Sequence, residues 1–173
     1  KSIDFCYTIS PLSLLKGKSL GIVGYGRIGK KVAEIGKAFG MKINIYSEDI
    51  EATVKSDIVS LHCPLTKENY GLINKEFISK MKDGAIIINT ARGGLVNSED
   101  LARALVSGKL SGAGIDVLED EPPIHSNPLI GLKNCLVTPH IAWMPIEARA
   151  KVIQICRDNL ESFLKGEKTN RIV

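Results

Sequence analysis

The string Gly24-Tyr25-Gly26-Arg27-Ile28-Gly29 constrains this chain more than any other stretch. It follows an apolar run, Leu20-Gly21-Ile22-Val23, and opens a segment whose apolar residues Ile28, Val32, Ile35 and Phe39 recur at helical spacing. Glycines at this spacing are a weak signal alone. Set between a strand and a helix, they meet the requirement of a dinucleotide-binding βαβ unit. Gly24 permits a tight turn, Gly26 leaves the backbone open to a pyrophosphate, and Gly29 lets helix and strand pack closely. The helix that starts there offers free N–H groups and the positive end of its dipole to the phosphates.

The rest of the chain extends this unit into an alternating pattern. Residues 19–24, 42–46, 57–62, 85–89, 112–117 and 135–138 read as strands, and 27–39, 75–81, 98–107 and 145–164 as helices. Gly40 and Gly108 stop two of the helices, and Asn74 and Ser98 are the expected N-caps of two others. The run Ala85-Ile86-Ile87-Ile88 is apolar throughout, as in a parallel sheet covered on both faces. The alternation predicts an α/β fold: a Rossmann-type, doubly wound parallel sheet in a three-layer αβα arrangement. The expected dinucleotide-binding domain runs from 19 to 165, with a linker or arm over 1–18 and a tail over 166–173. One segment resists. Residues 47–56 leave little room for a helix-containing crossover between parallel strands, which needs at least about 10–12 residues. Either this connection is pared down or residues are absent there.

Composition excludes other classes. Apolar residues make up 44% and charged residues 24%, as in an ordinary globular domain. A net charge of +4, with Lys and Arg scattered, argues against a nucleic-acid partner. No apolar run approaches the roughly 20 residues of a membrane span. Cys6, Cys63, Cys135 and Cys156 form no C-x-x-C pair, so neither a metal site nor a disulfide framework is expected, and a cytoplasmic setting is the default.

Ligands of open α/β sheets bind at the carboxyl ends of the strands. Arg92 follows the strand at 85–89, Asp116 and the acidic run Glu119-Asp120-Glu121 follow the next, and His140 follows the last. Each alone has an ordinary explanation as a solvated charge, a turn cap or a hydrogen-bonded structural residue. Together they suit hydride transfer to or from a carbonyl. A histidine exchanges the hydroxyl proton, a carboxylate orients that histidine, and an arginine binds a substrate carboxylate.

The order of motifs then becomes specific. Gly24–Gly29, Ser60-Leu61-His62-Cys63-Pro64-Leu65-Thr66, Asn89-Thr90-Ala91-Arg92-Gly93-Gly94-Leu95-Val96, Gly114-Ile115-Asp116-Val117 with Glu121-Pro122-Pro123, and Thr138-Pro139-His140-Ile141 follow one another. Together they resemble the NAD-binding domain of the D-isomer-specific 2-hydroxyacid dehydrogenases, over nearly the whole chain from Leu15 on. The continuation Ile141-Ala142-Trp143 is most similar to the glycerate dehydrogenase/hydroxypyruvate reductase branch. The resemblance implies Arg92 as the substrate-binding residue, His140 as acid/base and Glu121 as its partner. It implies cofactor contacts from Gly24, Gly26, Arg27, Ile28, Gly29, Ser47, Cys63, Pro64, Thr90, Ala91, Asp116 and His140, and no metal. It also implies a small 2-keto or 2-hydroxy acid substrate and a homodimer.

The chain departs from that family in three places. Family members carry an additional N-terminal half-domain, whereas at most residues 1–15 precede the nucleotide domain here, so a fragment with poor turnover in isolation is expected. Ser47 stands where the family usually has an Asp for the adenosine ribose; Glu48 and Asp49 follow and no Arg replaces it, which favours NAD while leaving NADP open. The short connection at 47–56 lies beside the adenine. A second reading stays open, because the C-terminal-binding-protein corepressors resemble these enzymes and use the dinucleotide to control assembly.

Overall fold

A computed structural model describes residues 12–124 and 126–171. Cys6, most of the expected arm and the last two residues of the tail lie outside the described residues. The chain divides into two compact units, Lys1–Thr138 and Pro139–Val173. The first holds strands β1 (Ser19–Val23), β2 (Lys42–Ile45), β3 (Ile58–Leu61), β4 (Ala85–Asn89), β5 (Leu110–Ile115) and β6 (Cys135–Val137). It also holds helices α1 (Arg27–Ala38), α2 (Ile50–Val54), α3 (Lys75–Lys80) and α4 (Ser98–Val106) and a 3₁₀ turn at Gly93–Leu95. The second unit is built on α5 (Ile146–Leu164), entered through Pro145 at the N-cap.

All six strands are parallel, in the order β2-β1-β3-β4-β5-β6. Parallel strands need crossovers, and the crossovers place helices on both faces. Leu20 and Ile22 of β1 point to α1 and pack with Ala33 and Met41. Val23, Val59, Leu61 and Ile87 point the other way, into a larger core with Phe77, Ile78, Leu101 and Leu105 from α3 and α4. Val59, Leu61 and Ile87 are fully buried, each worth about 1.5–3 kcal/mol of transfer free energy.

The helical spacing of Ile28, Val32, Ile35 and Phe39 does mark α1, but only Val32 of these packs against the core. The buried residues of α1 are Gly29, Ala33 and Gly36, while Ile28, Ile35 and Phe39 are 66%, 52% and 59% exposed. The helix lies too close to β1 for large side chains: a Cβ on Gly36 would sit 2.9 Å from Leu20 Cδ2 and 3.0 Å from Ile43 Cδ1. The connection at 47–56, in turn, does contain a helix. The five residues of α2 suffice because the chain crosses only β1 on its way to β3. A Cβ on Gly21 would lie 2.6 Å from Thr53 O, so β1 admits α2 directly against its backbone. Asn44 Nδ2 donates to Ala52 O and Ser56 Oγ at 3.0 and 2.9 Å, which ties α2 to β2. One correction concerns α4. Its N-cap is Asn97, whose side chain accepts from Asp100 N–H, and Ser98 is its first residue.

Asp57 joins the amino ends of β1 and β3. Its carboxylate accepts from Ser19 N–H and Ser19 Oγ, both at 2.8 Å, and from Lys82 Nζ at 2.5 Å. Partial burial opposes its charge, but these hydrogen bonds and the Lys82 ammonium outweigh that and hold its carboxyl well below the usual carboxylate range. A depressed carboxyl stabilises the fold above its unfolded pKa of about 3.9 and loses that contribution as pH falls further. Asp57→Asn is therefore expected to cost about 1–3 kcal/mol at pH 7. In urea unfolding, the gap to the wild type should narrow as pH falls below about 4; a gap that does not change with pH would contradict this role.

Candidate functional site

In a doubly wound sheet the ligand crevice opens where neighbouring strands send their connections to opposite faces. Here β1 leads into α1 on one face, while the chain reaches β3 through α2 on the other. Where β1 and β3 end, their backbones meet. His62 N–H donates to Val23 O at 2.7 Å. Gly24 has φ +100°, and a Cβ there would lie 2.4 Å from Cys63 N and 2.6 Å from the His62 carbonyl carbon. Gly29 is equally constrained, since its Cβ would lie 2.1 Å from Gly24 O.

Gly26 differs from both. A Cβ on it would meet no protein atom within 4 Å. Protein packing therefore does not require this glycine, and the space above it is open to a ligand. The start of α1 agrees. Gly26 is its N-cap and supplies no side-chain acceptor, and the first turn holds no acidic residue. By contrast α2, α3 and α4 are capped by Asp49, Asn74 and Asn97 and carry acids in their first turns. The free N–H groups and positive dipole end at α1 suit a pyrophosphate. An open cleft of about 610 Å³ lies over them, lined by Gly26, Arg27, Ile28, Lys31, Val32 and His62. Burial lowers the His62 pKa, and the cationic side chains lining the cleft are Arg27 and Lys31, the latter paired with Glu34. His62 Nε2 shares a 2.9 Å hydrogen bond with Ser60 Oγ. Sequence reasoning had placed His62 inside a motif without giving it a role.

The other half of the crevice is made by the loops after β3, β4 and β5, which converge on the turn Gly93–Leu95. Gly71 N–H donates to Gly94 O at 2.8 Å, and Ile73 pairs with Val96 in an isolated bridge. A Cβ on Gly93 would lie 2.0 Å from the Leu118 carbonyl, so the backbone after β5 rests directly on this turn. Tyr70 OH donates to Glu119, linking the loops after β3 and β5. Arg92 is exposed at the head of this turn, and its Nη1 donates to Ala91 O at 2.6 Å.

Asn89, which sequence reasoning did not single out, fixes the loop that carries Arg92. It is fully buried at the end of β4. Its Nδ2 donates to Arg92 O at 2.9 Å, and its Oδ1 accepts from Ala91 N–H at 3.0 Å. A polar residue closing an otherwise apolar strand was the available signal. Asp116 is buried just beyond β5 and accepts from Thr138 Oγ1 at 2.5 Å, holding the ends of β5 and β6 together. Glu121 is exposed and accepts from Leu118 N–H at 2.8 Å.

The remaining expected cofactor residues fall into two places. Cys63 is half-buried and Pro64 exposed at the end of β3, and burial pushes the Cys63 thiol up. Thr90 and Ala91 follow β4, and Ser47 is exposed past the end of β2. Arg92, Asp116 and Glu121 thus share the carboxyl edge of the sheet with the glycine turn. His140 belongs to the second unit, in the left-handed region at φ 52°, a conformation in which His is several-fold enriched among the few non-glycine residues that adopt it.

Comparison with known proteins agrees with this geometry. Residues 8–142 match the family described as D-isomer specific 2-hydroxyacid dehydrogenase, NAD binding domain. Among similar proteins, a hydroxypyruvate reductase of Blautia hydrogenotrophica is 46% identical over 182 aligned positions, covering 96% of this chain and 56% of that protein. A glycerate dehydrogenase of Methylorubrum extorquens is 42% identical over 98% of this chain and 57% of its own length. A solved D-isomer specific 2-hydroxyacid dehydrogenase from Lactobacillus delbrueckii ssp. bulgaricus, in an NAD-complexed form, superimposes with a TM-score of 0.87 at 30% identity, covering 98% of this chain and 60% of the other. The chain thus spans a little over half the length of these relatives.

The two roles of glycine here can be separated by substitution. Gly26→Asp supplies the missing N-cap, so its melting temperature is expected to equal or exceed the wild type's. Its carboxylate would also occupy the N–H groups meant for phosphate, and NADH affinity by calorimetry should fall at least about tenfold. A variant that binds NADH normally would show that the pyrophosphate lies elsewhere.

Proposed function

The chain belongs to the NAD-binding domains of the D-isomer specific 2-hydroxyacid dehydrogenases, and we propose that it forms the cofactor half of an enzyme acting on small 2-keto and 2-hydroxy acids of the hydroxypyruvate, glyoxylate or glycerate kind. The observation that carries this reading is the single carboxyl edge shared by the uncapped start of α1 and the Arg92 turn. When bound, the nicotinamide would donate from C4 the hydride that reduces C2 of a 2-keto acid, or accept it from C2 of a 2-hydroxy acid. Arg92 takes the substrate carboxylate, for which a guanidinium is suited by its fork of donors. His140 holds the proton exchanged at the C2 oxygen, and Glu121 supplies the carboxylate of the set.

The same reasoning favours NAD over NADP. Glu48 is exposed past the end of β2, and an acid there opposes a 2′-phosphate. The nearest downstream cation, Lys55, is held by Glu51 at 2.6 Å. Exposed Ile35 of α1 and Phe39 just past its end support a homodimer formed through this domain. The free thiols Cys63, Cys135 and Cys156 suit a reducing, cytoplasmic setting. Among the described residues no helix is long and apolar enough to cross a membrane.

Two measurements test these roles. In a protein joining this chain to the remaining half of its relatives' length, His140→Ala is expected to lower kcat with hydroxypyruvate by about 10²–10⁴-fold while leaving the NADH dissociation constant nearly unchanged. Unchanged turnover would remove His140 from the reaction. In sedimentation at micromolar concentration the wild-type chain should run as a dimer, and Ile35→Asp/Phe39→Asp as a monomer. A wild-type monomer would count against the interface.

A further inference from the structure

The place of His62 in the chain turns its ring toward the phosphate cleft. Side chains alternate along a strand. Ile58 of β3 packs with Leu20 and Ile22 on the α1 face, while Val59 and Leu61 join the larger core on the other. Ser60 and His62 continue the first set, and His62 emerges one residue past the end of β3. There it lines the open cleft with Gly26, Arg27, Ile28, Lys31 and Val32. Its position is held twice. The backbone N–H donates to Val23 O at 2.7 Å, and Nε2 shares its 2.9 Å hydrogen bond with Ser60 Oγ. Among the described residues Nδ1 has no hydrogen-bond partner.

The surroundings of the ring are short of negative charge. The charged side chains on the cleft are Arg27 and Lys31, both on α1, and Lys31 is paired with Glu34. β1 contributes no charged residue, and the glycine turn contributes Tyr25, whose ring lies under Lys30 Nζ at 5.7 Å. Beside His62 stands Cys63, whose thiol burial pushes up, and β4 ends in the uncharged Asn89. No carboxylate lines the cleft among the described residues. Burial accordingly holds the His62 pKa below the usual histidine range. A pyrophosphate on the α1 N–H groups reverses this balance, because it brings two negative charges into the same cleft. An opposite charge within about 4–6 Å favours the charged imidazole. Ser60 Oγ both donates and accepts, so its bond to Nε2 survives protonation of the ring.

We propose that His62 is a further phosphate-binding residue of this site: it takes a proton from solvent as the dinucleotide binds and donates a charge-assisted hydrogen bond from Nδ1 to the pyrophosphate. The buffer acid gives up the proton, the imidazole gains it, and no other covalent bond forms or breaks. A group that binds its proton more tightly in the complex strengthens binding as pH falls through its bound-state pKa, until its lower free-state pKa is reached. The inference rests on the dinucleotide reading above.

The test titrates the chain with NADH by calorimetry at pH 6, 7 and 8, in buffers of different ionisation enthalpy, so that proton uptake is read beside affinity. The expected result is uptake of at least about 0.2 proton per NADH at pH 7, and affinity at least about threefold tighter at pH 6 than at pH 8. In His62→Asn both effects should vanish. Proton-carbon correlation spectra of the wild-type imidazoles follow the same ring without any substitution, and His62 should titrate at higher pH with NADH than without. NADH binding with no proton uptake, uptake that persists in His62→Asn, or a His62 titration that NADH does not move overturns the inference and leaves the dinucleotide reading standing. Failure of NADH to bind at all overturns that reading as well.

Discussion

The carboxyl edge of this sheet depends on how closely two backbone segments approach where β1 and β3 end. His62 N–H reaches Val23 O at 2.7 Å, and Gly24 packs against Cys63 with no room for a side chain. Because β1 sends its helix to one face and β3 receives the chain from the other, this contact is also the mouth of the crevice. Widening it by one methyl group would push the start of α1 off its strand, since Gly29 in turn rests on Gly24 O. The phosphate-binding end of the helix is thereby set by packing before any ligand arrives. Such preorganisation costs nothing further on binding.

The second half of the edge follows the same rule. Gly93 lets the backbone after β5 lie on the turn after β4, and Asn89 satisfies two backbone groups of that turn from a fully buried position. A buried amide with both ends engaged is costly to disturb, because removing it leaves two part-buried backbone groups without their partner. Arg92 is consequently an exposed side chain on a rigid base.

Much of this was legible in the residues. The glycine turn, the six strands and the helices at 27–39, 75–81 and 98–107 all announce themselves through alternation, caps and breakers. The convergence of Arg92, Asp116 and Glu121 on one edge follows from parallel topology alone. What escaped was tertiary. Helical periodicity in Ile28, Ile35 and Phe39 marked α1, but it is closeness of approach that makes Gly29, Ala33 and Gly36 its buried residues. Chain length at 47–56 left open a pared-down connection or absent residues, and crossing a single strand over Gly21 takes only the five helical residues of α2. Asn89 and His62 went unassigned because their meaning lies in partners three residues onward and two residues back, respectively, seen only once the loops are folded.

The dinucleotide phosphates are expected on the α1 N-terminus, beside the β1–β3 contact. The most direct measurement is a ¹H–¹⁵N correlation spectrum of the chain titrated with NADH. The expected result is that the largest shifts fall on the amides of Gly26, Arg27, Ile28 and Gly29, with smaller ones at His62 and Cys63. Shifts confined to the cleft between α3 and α4, around Lys75 and Arg103, with the Gly26–Gly29 amides unmoved, would contradict it.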